Sequence, residues 1–106
     1  MDKYEFNLKV EQLNKLVKSG DYKAAMRITD TIDWRRVHKA DLLATVSEVY
    51  EKNNEYKEAR EILLLSYDRA PVGKRVLYKL VMLAIKEGDI SEAQEYYKEY
   101  TEISPQ

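Results

Sequence analysis

The groups best equipped for chemistry in this chain are cations gathered in two places, Arg35, Arg36 and Lys39, then Lys74, Arg75 and Lys79. Guanidinium and ammonium groups hold carboxylates and phosphates through charge-assisted hydrogen bonds. Each cluster falls at the expected start of a helix, where positive charge opposes the helix dipole at a cost of about 0.3–1 kcal/mol per exposed group. Two sources of compensation are open. Nearby carboxylates (Asp30, Asp33, Asp41 and Asp68) can pair with the clusters, or an acidic segment of a partner protein can lie along that edge. Little else is reactive. His38 is the sole histidine and there is no cysteine, which removes disulfides, thiolate nucleophiles, thiolate metal sites and His-containing catalytic pairs. Carboxylates are plentiful, but Glu51, Glu55, Glu58 and Glu61 follow one another in a charged, solvated pattern, without the dry pocket that paired-carboxylate catalysis needs. The expectation is a protein that is not an enzyme, with no catalytic residue, no metal and no cofactor.

A repeat positions these cations. Gly20, Asn54 and Gly88 stand 34 residues apart, and the surrounding words recur in register: Lys18-Ser-Gly-Asp-Tyr22-Lys-Ala-Ala25, Lys52-Asn-Asn-Glu-Tyr56-Lys-Glu-Ala59, Lys86-Glu-Gly-Asp-Ile90-Ser-Glu-Ala93. A period of this size marks a stack of small supersecondary units, and such stacks work by presenting a surface. Leu42, Leu43, Val46, Val49 and Tyr50 lie at the three-and-four spacing of one helix face, and Val76, Leu77, Leu80, Val81 and Ala84 form the corresponding face one period later. A second helix in each unit carries Ala25, Ile28, Thr29 and Ile32, then Ala59, Ile62, Leu63 and Ser66, then Ala93, Tyr96, Tyr97 and Tyr100. Each unit therefore reads as a helical hairpin. Gly20, Asn54 and Gly88 tolerate the left-handed conformation that ends a helix. The acid after each (Asp21, Glu55, Asp89) can cap the next helix, and Asp89 with Glu92 and Glu55 with Glu58 have capping-box spacing, although glutamate is a weak cap. Alanine at 25, 59 and 93 lets two helices joined by so short a turn approach closely. Pro71 and Pro105 are expected to end the second helix of units two and three.

With these turns, the recurring alanine, a large residue four positions beyond it and a closing proline, the chain resembles the tetratricopeptide repeat family over essentially its whole length. The resemblance implies an all-α, right-handed superhelical solenoid of three helix-turn-helix repeats and six helices, one domain spanning 1–106 with repeats at about 3–33, 34–70 and 71–105. Unit one departs from the pattern. Lys9 and Gln12 stand where later units have Leu43/Val46 and Leu77/Leu80, giving a more polar outer helix, and Val37 replaces the closing proline. Asp33-Trp34-Arg35-Arg36 reads as a cap and first turn, so helix two is expected to stop near Ile32 and helix three to run from about Trp34 to Lys52.

In this family the first helix of each unit lines a concave groove. Carried over, that stripe comprises Asn7, Val10, Asn14 and Val17, then Asp41, Ala44, Thr45 and Glu48, then Arg75, Tyr78, Lys79 and Met82. Polar with apolar spots, it suits an extended or helical peptide. Some family members clamp acidic C-terminal tails with lysine, asparagine and arginine. Asn14, Arg75 and Lys79 match three of the five clamp positions, while Val10 and Thr45 replace a lysine and an asparagine. Trp34 is placed either to anchor a partner or to plug the junction of units one and two beside Val37 and Ile32.

Bulk properties narrow the partners. Charged residues make up 35% yet nearly cancel to a net charge of −1, which argues against an RNA-binding helical repeat, since phosphate contacts need a continuous basic groove. The longest apolar run, Leu80 to Ile85, is far below the roughly 20 residues that span a bilayer. The N-terminal residues lack an apolar signal core. A cytoplasmic protein partner or peptide is expected, with no nucleic acid and no membrane insertion. Tyr96, Tyr97 and Tyr100 would leave the last helix with an aromatic face, from which weak homo-oligomerisation through helix six is expected, as is continuation of the natural chain beyond this segment. The remaining alternative is a structural spacer or self-associating unit of a larger protein.

Overall fold

The computed structural model describes residues 1–70 and 74–103, and among these every regular element is helical. The helices are α1 (Lys3–Lys18), α2 (Tyr22–Thr29), α3 (Ala40–Lys52), α4 (Tyr56–Arg69), α5 (Lys74–Lys86) and α6 (Ile90–Ile103), with a 3₁₀ turn at Trp34–Arg36. They form three hairpins stacked into an all-α solenoid of 41 × 24 × 22 Å. Pro71 and Pro105 lie outside the described residues.

The three turns share one geometry. Gly20, Asn54 and Gly88 have φ of 81°, 62° and 80°, and the N–H after each donates back to the carbonyl five residues earlier: Asp21 to Leu16, Glu55 to Tyr50, Asp89 to Ala84, at 2.9, 2.9 and 2.8 Å. These are the bonds that satisfy the last carbonyls of a helix when its final residue turns left-handed. Asp21 then accepts from the Ala24 N–H and Asp89 from the Glu92 N–H, whereas Glu55 makes no side-chain capping bond. The box at Asp89 is half formed, because the Glu92 carboxylate turns away to Arg60.

The core is a seam of Leu13, Leu43, Leu63, Leu77, Leu80 and Leu83 with Val46 and Val49, all but sealed from solvent. Ala25, Ala59 and Ala93 are buried at the hairpin crossings. At the middle crossing the Ser47 hydroxyl donates to the Ala59 carbonyl at 2.7 Å, a contact only a small side chain permits.

Helix three is shorter than its sequence signals. Asp33 does cap the following turn, accepting from the Arg35 N–H, but the turn is 3₁₀ and ends at Val37, whose backbone is extended. Lys39 is extended as well, so α3 begins at Ala40. The cause lies in Trp34. Only 4% exposed, it packs against Phe6 with ring centroids 6.4 Å apart, and its indole N–H donates to the Thr29 carbonyl at 2.8 Å. The same carbonyl also accepts from the Ile32 N–H at 3.3 Å, so the chain turns away here and α2 stops at Thr29 rather than near Ile32. Trp34 thus plugs the first junction.

Candidate functional site

The hairpins stack through their inner helices, α2 packing on α3 and α4 on α5, so that α1, α3 and α5 follow one another with open space between them. Two open clefts run between the first helices. One, of about 520 Å³, is bordered by Phe6, Asn7, Val10 and Asn14 of α1 and by Asp41 and Thr45 of α3. The other, of about 310 Å³, lies between Asp41, Ala44, Thr45 and Glu48 of α3 and Arg75, Val76 and Lys79 of α5. Ala40, Asp41 and Thr45 border both, so the two clefts adjoin on either side of α3 and are taken together as one path.

Of the stripe read from sequence, Asn7, Val10, Asn14, Asp41, Ala44, Thr45, Glu48, Arg75 and Lys79 are gathered along this path. Val17 packs against the core instead. Tyr78 and Met82 are exposed on the outer side of α5, away from both clefts. Asn14 and the Arg75/Lys79 pair border different clefts, so three clamp-like residues flank the path without converging on one point. Phe6, Leu42 and Val76 also line the path; Leu42 and Val76 were read from sequence only as members of apolar helix faces, and for Phe6 the signal available was its four-residue step to Val10, which puts both on one helix face. Lys39, read only as part of the basic edge, also reaches the first cleft.

The basic clusters are compensated in part. Arg35 pairs with Asp33 at 3.2 Å, and that hydrogen bond holds the Asp33 carboxyl below its ordinary pKa. Lys74 places its ammonium 4.7 Å from the centroid of the Tyr100 ring. Among the described residues Arg36, Lys39, Arg75 and Lys79 make no ion pair within 4.0 Å. The described residues contain no group of three metal-ligating side chains, and no helix is long and apolar enough to cross a membrane.

The last helix differs from its sequence reading. Tyr96 is only 8% exposed, with its hydroxyl donating to Glu92, whereas Tyr97 is 58% exposed and stacks on Tyr100 at 6.3 Å. Tyr96 therefore belongs to the core and not to a free aromatic face. The exposed apolar side chains of the third hairpin include Ile90, Tyr97 and Ile103 of α6 with Tyr78, Met82 and Ile85 of α5.

A tetratricopeptide repeat sequence profile matches residues 74–106. No curated protein sequence matches the chain significantly. Among solved structures it is similar to the Yersinia enterocolitica type III secretion translocator chaperone SycD, at a TM-score of 0.78 and 11% identity, covering 97% of this chain and 71% of that one. The same chaperone in complex with a peptide of the translocator YopD gives a TM-score of 0.78 at 11% identity, covering 97% of this chain and 79% of that one. At such identity the likeness shows the fold.

Proposed function

We propose that the chain, whose third hairpin is a tetratricopeptide repeat by sequence and whose three hairpins share that fold, is a non-catalytic protein-interaction module holding a peptide segment of a partner along α1, α3 and α5. The observation that carries this reading is the pair of adjoining clefts that share Ala40, Asp41 and Thr45. Amide, hydroxyl and charged groups at Asn7, Asn14, Thr45, Arg75 and Lys79 offer polar contacts to an extended backbone, while Phe6, Val10 and Val76 supply apolar spots for its side chains. The SycD complex supports it, since a protein of this fold there holds a translocator peptide. Lys39 borders the first cleft and, with Arg36, an adjoining hollow, so acidic residues at that end of the segment are favoured. The test is capture of partners by the isolated domain, identification of the bound protein, and repetition with Asn14→Ala, Thr45→Arg and Lys79→Glu. Capture unaffected by all three would exclude this face.

A second reading, self-association, is favoured by one observation: Tyr78, Met82, Ile85 and Tyr97 leave apolar surface on the outer side of the third hairpin, where inner hairpins have a neighbour. Sedimentation over a wide concentration range, compared with Tyr97→Glu, decides it. A monomer at every concentration rejects the second reading alone.

A further inference from the structure

The face opposite the clefts carries a groove of its own. Its origin is the shortness of α2, which has 8 residues where α4 and α6 have 14. Residues one period before the second half of α4 are drawn aside into the loop that ends in Trp34, leaving α2 about two helical turns short. Where those turns would have packed there is a cleft of about 480 Å³ between the loop and α4. Its floor is apolar, made by Ile32, Ile62 and Leu65 with the edge of Trp34. Its rim is acidic.

Asp30 and Asp33 stand on the loop side and Glu58 and Glu61 on α4. Arg35 is the sole cation of the lining, and it is engaged with Asp33 at 3.2 Å. Asp30 accepts from the Tyr50 hydroxyl at 2.8 Å. Glu58 and Glu61 are exposed and, among the described residues, join no ion pair. Crowding of carboxylates here contributes to the rise of the Tyr50 hydroxyl's pKa to about 12, after burial and against a hydrogen bond to Thr29, with Asp30 and Glu58 both acting in that direction. On α4, Glu58, Glu61, Ile62 and Leu65 follow the steps of a single helix stripe, so this helix has a second side combining apolar area with negative charge, besides the one buried through Leu63.

We infer that this groove between the α2–α3 loop and α4 is a second docking site, which takes a short amphipathic helix bearing lysine or arginine on its flanks. Shape and charge name that occupant together. The gap lies where the missing helical turns would have packed and has an apolar lining, and the uncompensated carboxylates on its rim complement cations flanking an apolar stripe. It shares no lining residue with the two clefts between the first helices, so one chain can hold two partner segments at once.

Trp34 is the only tryptophan and lines the groove, so its emission reports occupancy directly. The probe is a capped peptide of about 14 residues with leucine at helical spacing and lysine on the flanks, compared with the same peptide carrying glutamate in place of lysine. The lysine peptide is expected to shift Trp34 emission saturably and to perturb amide resonances of α4 and residues 30–35. Glu58→Lys with Glu61→Lys, both on the surface, is expected to weaken binding by about tenfold or more, with Glu58→Gln and Glu61→Gln intermediate. Lys79→Glu on the other face should leave it unchanged. Equal binding of the glutamate peptide, indifference to the double reversal, perturbation confined to α1, α3 and α5, or burial of Trp34 by a second copy of the chain would each overturn the inference.

Discussion

The first junction, between hairpins one and two, and the second, between hairpins two and three, are built from the same fold with different forces. The first is closed by a buried indole. Trp34 fills the space between α2 and α3, the Tyr50 hydroxyl reaches Asp30, and the Asn53 amide donates to the Tyr22 carbonyl at 3.0 Å, so aromatic packing is combined with uncharged donors. The second is closed by a charged hub. Arg60 on α4, 15% exposed at its side chain, donates to Glu87, Asp89 and Glu92 at 3.2, 3.5 and 2.8 Å and lies over the Tyr96 ring. Burial disfavours its charge, but the bonds to Glu92, Tyr96 and Glu87 outweigh that and raise its pKa. A repeat fixes where neighbours meet, and each pair of neighbours is then free to close the joint by its own chemistry.

The sharpest way to break this comparison is Trp34→Ala. Removing a buried indole and its hydrogen bond is expected to cost about 3–5 kcal/mol. Against a typical total of about 5–15 kcal/mol, that loss detaches hairpin one or unfolds the chain. Urea denaturation followed by circular dichroism measures it, with amide exchange showing whether α1 and α2 open first. A loss below 1 kcal/mol would mean that the indole does not hold the joint.

That joint also shows where sequence reading stops. The turns at Gly20, Asn54 and Gly88 were legible because their bonds are local: one left-handed residue fixes which carbonyl the next N–H meets. The start of α3 was not. Asp33 carries a true capping signal, but whether it opens an α-helix or a 3₁₀ turn depends on where Trp34 finds its partners, and Phe6 and the Thr29 carbonyl come from other elements. Tyr96 and Tyr97 illustrate the same limit. The repeat register aligns Tyr97 with the buried Leu63, yet without a fourth hairpin in the structure Tyr97 is exposed while Tyr96 turns inward over Arg60. The groove stripe was legible on α1 and α3 because helix periodicity alone assigns a face. On α5 the same stripe divides, with Arg75 and Lys79 at the cleft and Tyr78 and Met82 exposed outside it.

Arg60→Ala is the next largest change, at about 1–3 kcal/mol, because three carboxylates lose a shared donor that is partly shielded from water. Salt separates the junctions further. Raising ionic strength to about 1 M, where the Debye length is about 3 Å, should reduce the cost of Arg60→Ala and leave that of Trp34→Ala unchanged. Acid does the same. Hydrogen bonds from Arg60 and then Tyr96 hold the Glu92 pKa below its ordinary value of 4.5. A carboxylate whose pKa is depressed by folding stabilises fully above the unfolded value, and that contribution is lost as pH falls through the folded one. Amides of α6 are therefore expected to lose exchange protection below about pH 4.5 before those of α3 do, and Arg60→Ala should remove the difference. Simultaneous loss in both helices would show that the hub does not govern the second junction.

The smallest effect uses the one contact that both junctions share. Lys52 lies 5.9 Å from the Tyr22 ring centroid and Lys86 5.3 Å from that of Tyr56, the same pairing one period apart. Cation–π contacts at partly exposed sites contribute about 0.5–1 kcal/mol, so the two lysines would be equal if that were their whole role. They are not equal. Lys86 also binds Glu51 at 2.9 Å, a hydrogen bond that raises its pKa, while Lys52 is in no ion pair among the described residues. Lys86→Ala should thus cost more than Lys52→Ala by a few tenths of a kcal/mol, and Glu51→Gln should close the gap. Because each variant leaves the packed seam intact, thermal melts at low and high salt can resolve the difference. Equal costs at low salt would place the Lys86–Glu51 pair among surface contacts that contribute nothing, and would leave Arg60, among the described residues, as the one ion-paired tie across the second junction.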